Sequence, residues 1–165
     1  MKKLAFLMLA ILAVGCSLES APKFVDIDGK FTGEFFSIGY PKTYRVTSID
    51  NGVIIEGGIK FKLYYNAEAK SLLGSVMPLR ATLESRMRAK SIQFVTLNFN
   101  GFDAVKMEGM DNTQRYTFGI YIPLNGGVLA LELEPAFMKQ DTIDFTHKIA
   151  ETLTVTDKTW FERNR

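Results

Sequence analysis

Three Asn-Gly dipeptides restrict the fold of this chain more than any other feature of its sequence. They are Asn51-Gly52, Asn100-Gly101 and Asn125-Gly126, and each lies between two runs of residues typical of β-strands. Asn and Gly tolerate the positive φ angles that a two-residue type I′ turn requires. The sequence therefore predicts three β-hairpins and, with them, an antiparallel sheet.

The side-chain pattern selects the register of the third hairpin. A two-residue loop at Asn125-Gly126 places three apolar pairs on one face of the sheet: Ile122 with Leu129, Ile120 with Leu131, and Phe118 with Leu133. A three-residue loop would instead place Ile120 opposite Glu132. The alternation of side chains therefore favours the two-residue loop and a buried face made of those six residues.

The other two turns predict two further hairpins: Arg45–Asp50 with Val53–Gly58, and Ile92–Phe99 with Phe102–Gly109. In the first of these, we expect Ile49 to lie opposite Ile54. Two additional strands are expected at Gly33–Tyr40 and Ile59–Tyr65.

Two segments have the spacing of amphipathic helices. The first is Pro78–Lys90, with apolar residues at Leu79, Leu83 and Met87. The second is Asp141–Leu153, for which Asp141 is the expected N-cap, and its apolar stripe contains Ile143, Ile149, Ala150 and Leu153. Hairpins with helices between and after them predict an α+β domain, in which helices pack on an antiparallel sheet.

The N-terminal segment has the pattern of a signal peptide. Lys2 and Lys3 precede an unbroken apolar run, Leu4–Val14, of 11 residues. A helix of this length is too short to cross the hydrocarbon core of a membrane, but it suits the apolar region of a signal peptide. Cys16, which follows this run, is the only cysteine of the chain.

Ala13-Val14-Gly15-Cys16 resembles the bacterial lipobox, at which signal peptidase II cleaves before a cysteine that carries diacylglycerol. The resemblance implies cleavage after Gly15, acylation of Cys16 with fatty acids such as palmitate, and a lipoprotein held at the cell envelope. Ser17 after the cysteine implies the outer membrane, facing the periplasm, in a Gram-negative host. The alternative is an ordinary secretory signal with an incidental cysteine.

These boundaries predict four regions: a signal peptide at 1–15, an acylated tether at 16–23, one α+β domain at 24–159, and a C-terminal tail at 160–165. Removal of Lys2 and Lys3 leaves 18 basic residues against 18 acidic ones. A mature chain without net charge gives no electrostatic support for a role in binding nucleic acid.

The segment Phe36-Ser37-Ile38-Gly39-Tyr40-Pro41-Lys42-Thr43-Tyr44-Arg45-Val46 resembles the opening of the PsbP-like superfamily. That superfamily includes an extrinsic subunit of photosystem II and bacterial DcrB-like lipoproteins. The order of expected elements is similar over most of residues 31–155. The resemblance implies an α/β/α-layered sandwich that serves in binding or assembly rather than in catalysis.

The residues that could support chemistry are few. Glu132 and Glu134 alternate with leucines, so their carboxylates project from one sheet face, where they suit acid/base work or simply a solvated surface. Arg86 and Lys90 belong to a basic cluster on the first helix, which forms either a salt-bridged surface or a contact for anionic headgroups. His147 is interpreted as an ordinary helix residue, since no nucleophile motif accompanies it.

No residue is assigned as a catalytic, cofactor-binding or metal-binding residue. The sequence therefore predicts a lipid-anchored, non-catalytic module that binds an envelope protein or a small ligand. The alternative function is that of a membrane-anchored hydrolase using Glu132 and Glu134.

Overall fold

Antiparallel strands make up most of the structure, a computed structural model that describes residues 26–67, 76–87, 91–124 and 126–156. The elements in chain order are β1 (Gly29–Thr32), β2 (Phe36–Tyr40), β3 (Arg45–Ile49), β4 (Gly52–Glu56), β5 (Lys60–Asn66), α1 (Val76–Arg86), β6 (Ile92–Phe99), β7 (Phe102–Met110), β8 (Tyr116–Leu124), β9 (Gly127–Ala136), α2 (Gln140–Glu151) and β10 (Thr154–Val155). The signal segment, including Gly15 and Cys16, lies outside the described residues. Neither described helix is long and apolar enough to cross a membrane.

The main sheet has seven strands in the order β3-β4-β5-β9-β8-β7-β6, and every neighbouring pair is antiparallel. It consists of two meanders, β3 to β5 and β6 to β9, which meet where β5 pairs with β9. The chain therefore leaves the middle of the sheet after β5 and re-enters at its far edge, and α1 lies on this connection.

The two faces of the main sheet have separate apolar cores. On the α1 face, Leu79 and Leu83 of α1 pack with Val105, Met107 and Tyr121 of the sheet. On the α2 face, helix α2 and the small sheet β1-β2-β10 cover a larger core. Its fully buried side chains include Phe61, Leu63, Phe118, Ile122, Leu129, Leu131 and Ile149. The predicted α+β fold is confirmed, with a helix on each face of the antiparallel sheet.

The second and third predicted hairpins are confirmed in register. Phe99 lies opposite Phe102, and both loop residues have positive φ, 51° at Asn100 and 88° at Gly101. In the third hairpin, the three predicted apolar pairs face one another, and Leu124 lies opposite Gly127. Asn125 lies outside the described residues, and Gly126 has a φ of 97°.

The predicted register of the first hairpin is wrong by two residues. Ile49 lies opposite Gly52, and Thr47 lies opposite Ile54, so the loop consists of Asp50 and Asn51. Asn51 supplies the positive φ, 57°, and Gly52 joins the strand. Gly52 lies so close to the Leu63 carbonyl of β5 that a Cβ would clash with it. A shift of two residues leaves every side chain on its predicted face.

Both helices begin earlier than predicted. Helix α1 starts at Val76 and keeps Pro78 in its first turn, where a missing N–H costs little, while Lys90 lies outside the described residues. Helix α2 is capped by Lys139 rather than by Asp141, and no side chain bonds to its free amides. Asp141 instead lies in the first turn, where its negative charge still favours the helix N-terminus.

The small sheet was not foreseen, and it fastens the end of α2 to β2. Ser37 Oγ and Thr154 Oγ1 are 2.7 Å apart, and the amide of Gly39 donates to Thr152 Oγ1 at 2.8 Å. Strand β2 ends at Tyr40, directly before Pro41, which cannot donate to a ladder.

We expect Leu131→Ala to lower the free energy of unfolding by about 2–5 kcal/mol, because it leaves a cavity at a fully buried position. Denaturant unfolding followed by circular dichroism measures the loss. Met138→Ala is the matched control, since this apolar side chain is 54% exposed and its loss should change stability by less than about 0.5 kcal/mol. Equal effects at the two positions would contradict the observed burial.

Candidate functional site

A groove opens at one end of the main sheet, between the β4–β5 turn, the end of β9 and the start of α2. Its volume is about 540 Å³, within the range of ligand-binding clefts. We call it the β9–α2 groove, and its principal lining residues are Gly57, Lys60, Arg115, Glu134, Phe137 and Lys139.

The charged side chains lining the β9–α2 groove are three cations, Lys60, Arg115 and Lys139, and two carboxylates, Glu56 and Glu134. Lys60 Nζ lies 2.8 Å from Glu134 Oε2, and this hydrogen bond raises the pKa of Lys60. The guanidinium of Arg115 lies over the ring of Phe137, 5.6 Å from its centroid. Within the described part of the chain, no carboxylate lies within ion-pair distance of the side chains of Arg115 or Lys139. The groove therefore offers positive charge to a ligand.

The segment between β9 and α2 exposes two large apolar side chains beside these cations. Phe137 is 67% exposed and Met138 is 54% exposed. Aromatic residues, Met and Arg are the types enriched in protein–protein interfaces. The adjacent Phe137, Met138 and Arg115 thus combine apolar and cationic contact groups at the mouth of the groove.

Gly57 forms part of the groove wall because the ring of Tyr44 packs against it. A Cβ at position 57 would collide with that ring, so only glycine fits. Burial raises the pKa of the Tyr44 hydroxyl despite the nearby amides of Gly58 and Ile59. Tyr44, four residues after Tyr40, therefore packs against the backbone of one lining residue of the groove.

Glu132 lies half-buried on the α1 face, where two phenols hold one of its oxygens. Tyr64 donates to Glu132 Oε1 at 3.1 Å, and Tyr121 donates to the same atom at 3.0 Å. Gly119 lies directly opposite Glu132 in the sheet, and its missing side chain leaves the space that the Tyr121 ring occupies. Glu132 is therefore not an ordinary solvated strand residue.

The hydroxyl of Tyr64, which donates to Glu132, is also affected by the charge of Arg86 of α1. Burial and the negative charge of Glu132 raise the pKa of Tyr64 to about 12, and the positive charge of Arg86 partly opposes them. Lys62 Nζ lies 4.4 Å from the centre of the Tyr64 ring. The charge of Arg86 thus acts on the Tyr64 hydroxyl that binds Glu132, while no hydrogen bond or ion pair joins Arg86 to either residue in the described part of the chain.

Glu132 and Glu134 share a sheet face but not a site. Glu134 Oε2 pairs with Lys60, whereas Glu132 Oε1 accepts bonds from tyrosines. The two carboxylates therefore have different partners and line different surfaces. Among the described residues, no three His, Cys, Asp or Glu side chains converge as metal ligands would.

A polar cluster on the α2 face was missed by the sequence analysis. Glu108 Oε1 lies 2.8 Å from His147 Nε2 and accepts a bond from the Tyr116 hydroxyl, also at 2.8 Å. Lys106 Nζ lies 2.9 Å from Glu108 Oε2. The predicted β6–β7 register already placed Glu108 on a defined face, but no local pattern indicated that His147 of α2 would meet it. His147 therefore joins α2 to Glu108 of β7 instead of only facing solvent.

The Glu108 cluster should contribute acid-sensitive stability. Burial alone would raise the pKa of Glu108, but bonds from Lys106, Tyr116 and His147 outweigh burial and lower it. Because the folded pKa lies below the unfolded value near 4.5, the contribution is present above about pH 4.5 and is lost as the pH falls through the folded pKa.

We therefore expect Glu108→Gln to cost about 1 kcal/mol at pH 7 and to flatten the fall in stability between neutral and acid pH. Urea unfolding at a series of pH values measures both effects. Asp103→Asn, at an exposed position on the same strand, serves as the control. An unchanged pH slope in Glu108→Gln would contradict the lowered pKa.

Comparison with solved structures finds the same fold in a cyanobacterial protein. The solution structure of cyanobacterial PsbP (CyanoP) from Synechocystis sp. PCC 6803 superposes with a TM-score of 0.51. The match covers 84% of this chain and 98% of that protein at 12% sequence identity. The sequence itself matches no family model and no curated protein significantly. The chain thus has a PsbP-like fold, as its Tyr-Pro segment and order of elements implied.

Proposed function

We propose that this chain is a lipid-anchored protein of the bacterial cell envelope that acts as a non-catalytic binding or assembly module. Its β9–α2 groove binds an acidic segment of an envelope partner protein. The observation that carries this proposal is the placement of exposed Phe137 beneath the guanidinium of Arg115, a cation that makes no ion pair within 4 Å in the described part of the chain, although its charge acts on nearby Asp111. A PsbP-like fold is consistent with such a role.

The chemistry of the groove favours a protein partner with negative charge. Arg115 and Lys139 make no ion pair within the described residues, Glu134 is paired with Lys60, and Glu56 is the remaining acid of the lining. An acidic side chain of the partner would meet Arg115 and Lys139 without breaking the Lys60–Glu134 pair. Phe137 and Met138 provide the apolar anchor beside that contact, as hot-spot residues of interfaces do.

The proposed anchor would hold the groove close to the membrane. The polar stretch from Ser17 to Lys23 spans at most about 23 Å when fully extended. Several acyl chains on Cys16 would make this attachment stable, whereas a single chain binds membranes only marginally. The domain would then meet partners that lie at the surface of the same membrane.

The contacts of Glu132 and Glu134 support the alternative function, a hydrolase, less well than they support a binding module. A general acid/base pair needs two carboxylates that act on one bond, whereas Glu132 and Glu134 have separate partners. The Glu134 carboxylate is also occupied by the Lys60 ammonium at 2.8 Å, so it is not free to act on a substrate without breaking that pair.

Photo-crosslinking in intact cells tests the groove. We expect a crosslinker at position 138 to capture an envelope protein and one at position 30 of β1, which does not line the groove, to capture none. Phe137→Ala and Arg115→Ala should each reduce the captured yield at least about fivefold, because each removes an anchor of the contact. Lys30→Ala, an exposed cation on β1, is the matched control and should leave the yield unchanged.

Undiminished capture in both groove variants would overturn the proposed site. Turnover of a peptide, glycan or ester by the purified protein, lost in folded Glu132→Gln or Glu134→Gln variants, would overturn the proposed function in favour of the hydrolase. Circular dichroism of each variant establishes that it remains folded.

Mass spectrometry of the membrane fraction tests the anchor separately. We expect a mature N-terminus at Cys16 that carries acyl chains, and no acylated product from Cys16→Ser. Ser17→Ala, which leaves the cysteine in place, should remain acylated. Recovery of unacylated wild-type protein with a different N-terminus would disprove lipid anchoring.

A further inference from the structure

Strand β6 forms one edge of the main sheet and lacks the features that normally protect an edge. It is eight residues long, Ile92–Phe99, and β7 is its only neighbour among the described strands. The segment from Ser91 to Gly101 contains no charged residue and no proline. Natural sheets usually protect their edges with charge, proline, a bulge or a short strand. The pairing of β6 with β7 is also free of bulges.

The register shows which backbone groups of β6 face outward. A two-residue hairpin closes with a hydrogen-bonded pair, here Phe99 and Phe102, so odd-numbered residues of β6 bond to β7. The amide of Met110 donating to the Ser91 carbonyl at 3.4 Å agrees with this parity. The N–H and C=O groups of Phe94, Thr96 and Asn98 therefore point away from the sheet.

The opposite edge of the same sheet is shorter and carries charge. Strand β3 has only five residues, Arg45–Ile49, and it begins with a charged residue. Strand β10, at one edge of the small sheet, has two residues, and β1, at the other, has four and carries Lys30. Within the described part of the chain, β6 is thus the longest strand at a sheet edge, and the only other uncharged edge strand, β10, has two residues.

We propose that β6 binds the β6 strand of a second copy of this chain, antiparallel, so that two seven-stranded sheets join into one continuous sheet. This interface is separate from the β9–α2 groove and does not depend on its function. The two-fold axis passes close to Thr96, since only an axis near the middle of the strand lets both edges overlap along most of their length.

A second copy is the occupant that the strand itself fits. An antiparallel pair related by a two-fold axis places each strand against its own sequence, and an uncharged strand meets no repulsion there. Val95, which is 44% exposed, and half-buried Leu97 lie on one face and would continue as an apolar strip across the axis. On the α1 face, Phe94 packs against the core and would extend that apolar surface toward the second copy.

The expected dimer is weak in solution. One pair of eight-residue strands buries less area than a standard protein–protein interface, so association should lie at the transient end of the range. Attachment of both copies to one membrane would raise their effective concentration.

Sedimentation of the full-length chain in detergent micelles, over a concentration series, tests the proposal. We expect reversible dimers for the wild-type chain. Thr96→Lys should raise the dissociation constant about tenfold or more, because two like charges then meet near the axis. Thr47→Lys is the matched control on the opposite edge, where the same exposed residue type is replaced, and should leave the constant unchanged.

An equimolar mixture of Thr96→Lys and Thr96→Glu should dimerise again, since opposite charges then face each other across the axis. A wild-type chain that stays monomeric, equal weakening by Thr96→Lys and Thr47→Lys, or no rescue in the mixture would each overturn the proposal.

Hydrogen exchange of the wild-type chain tests the same interface without any substitution. The amides of Phe94, Thr96 and Asn98 should exchange more slowly as concentration rises, and unchanged rates would also overturn it.

Discussion

The pairing of β5 with β9 is the contact on which the rest of the structure depends. It joins two meanders that are each local in sequence, and it places Phe61 opposite Leu133 and Leu63 opposite Leu131. All four side chains are buried on the α2 face. Without this pairing, each meander would expose one more open edge and half of the apolar face that α2 covers. The connection from β5 to the far edge then carries α1 over the opposite face.

The same pairing positions the polar groups discussed above. Because Phe61 faces Leu133, Lys60 of β5 comes beside Glu134 of β9 and closes one side of the β9–α2 groove. Two residues along, Lys62 lies opposite Glu132, and the tyrosines at 64 and 121 reach that carboxylate from the flanking strands. A single register thus separates the two glutamates into an ion pair and a phenol-bound carboxylate.

Polar contacts hold the C-terminal half of α2 and the residues that follow it against the two sheets. The Glu108–His147 contact ties the helix to β7, and the Thr152 and Thr154 hydroxyls tie its C-terminal end to β2. At the N-terminal end no side chain caps the helix, and that end borders the groove. Helix α2 is therefore bonded to neighbouring strands in and after its C-terminal half, while its N-terminal end, without a side-chain cap, borders the groove where the proposed partner would bind.

The sequence by itself determined the hairpins, two of their registers and the apolar faces, because Asn-Gly turns and side-chain alternation act over a few residues. Local rules placed the first turn one residue too late, and its register two residues off, because they contain no information on the close contact of Gly52 with β5. Only the tertiary structure decided that β5 neighbours β9, that β1 and β10 flank β2, and that Glu132 meets Tyr64 and Tyr121. Such contacts join residues far apart in the chain, and the summed burial of the whole core selects them rather than any local pattern.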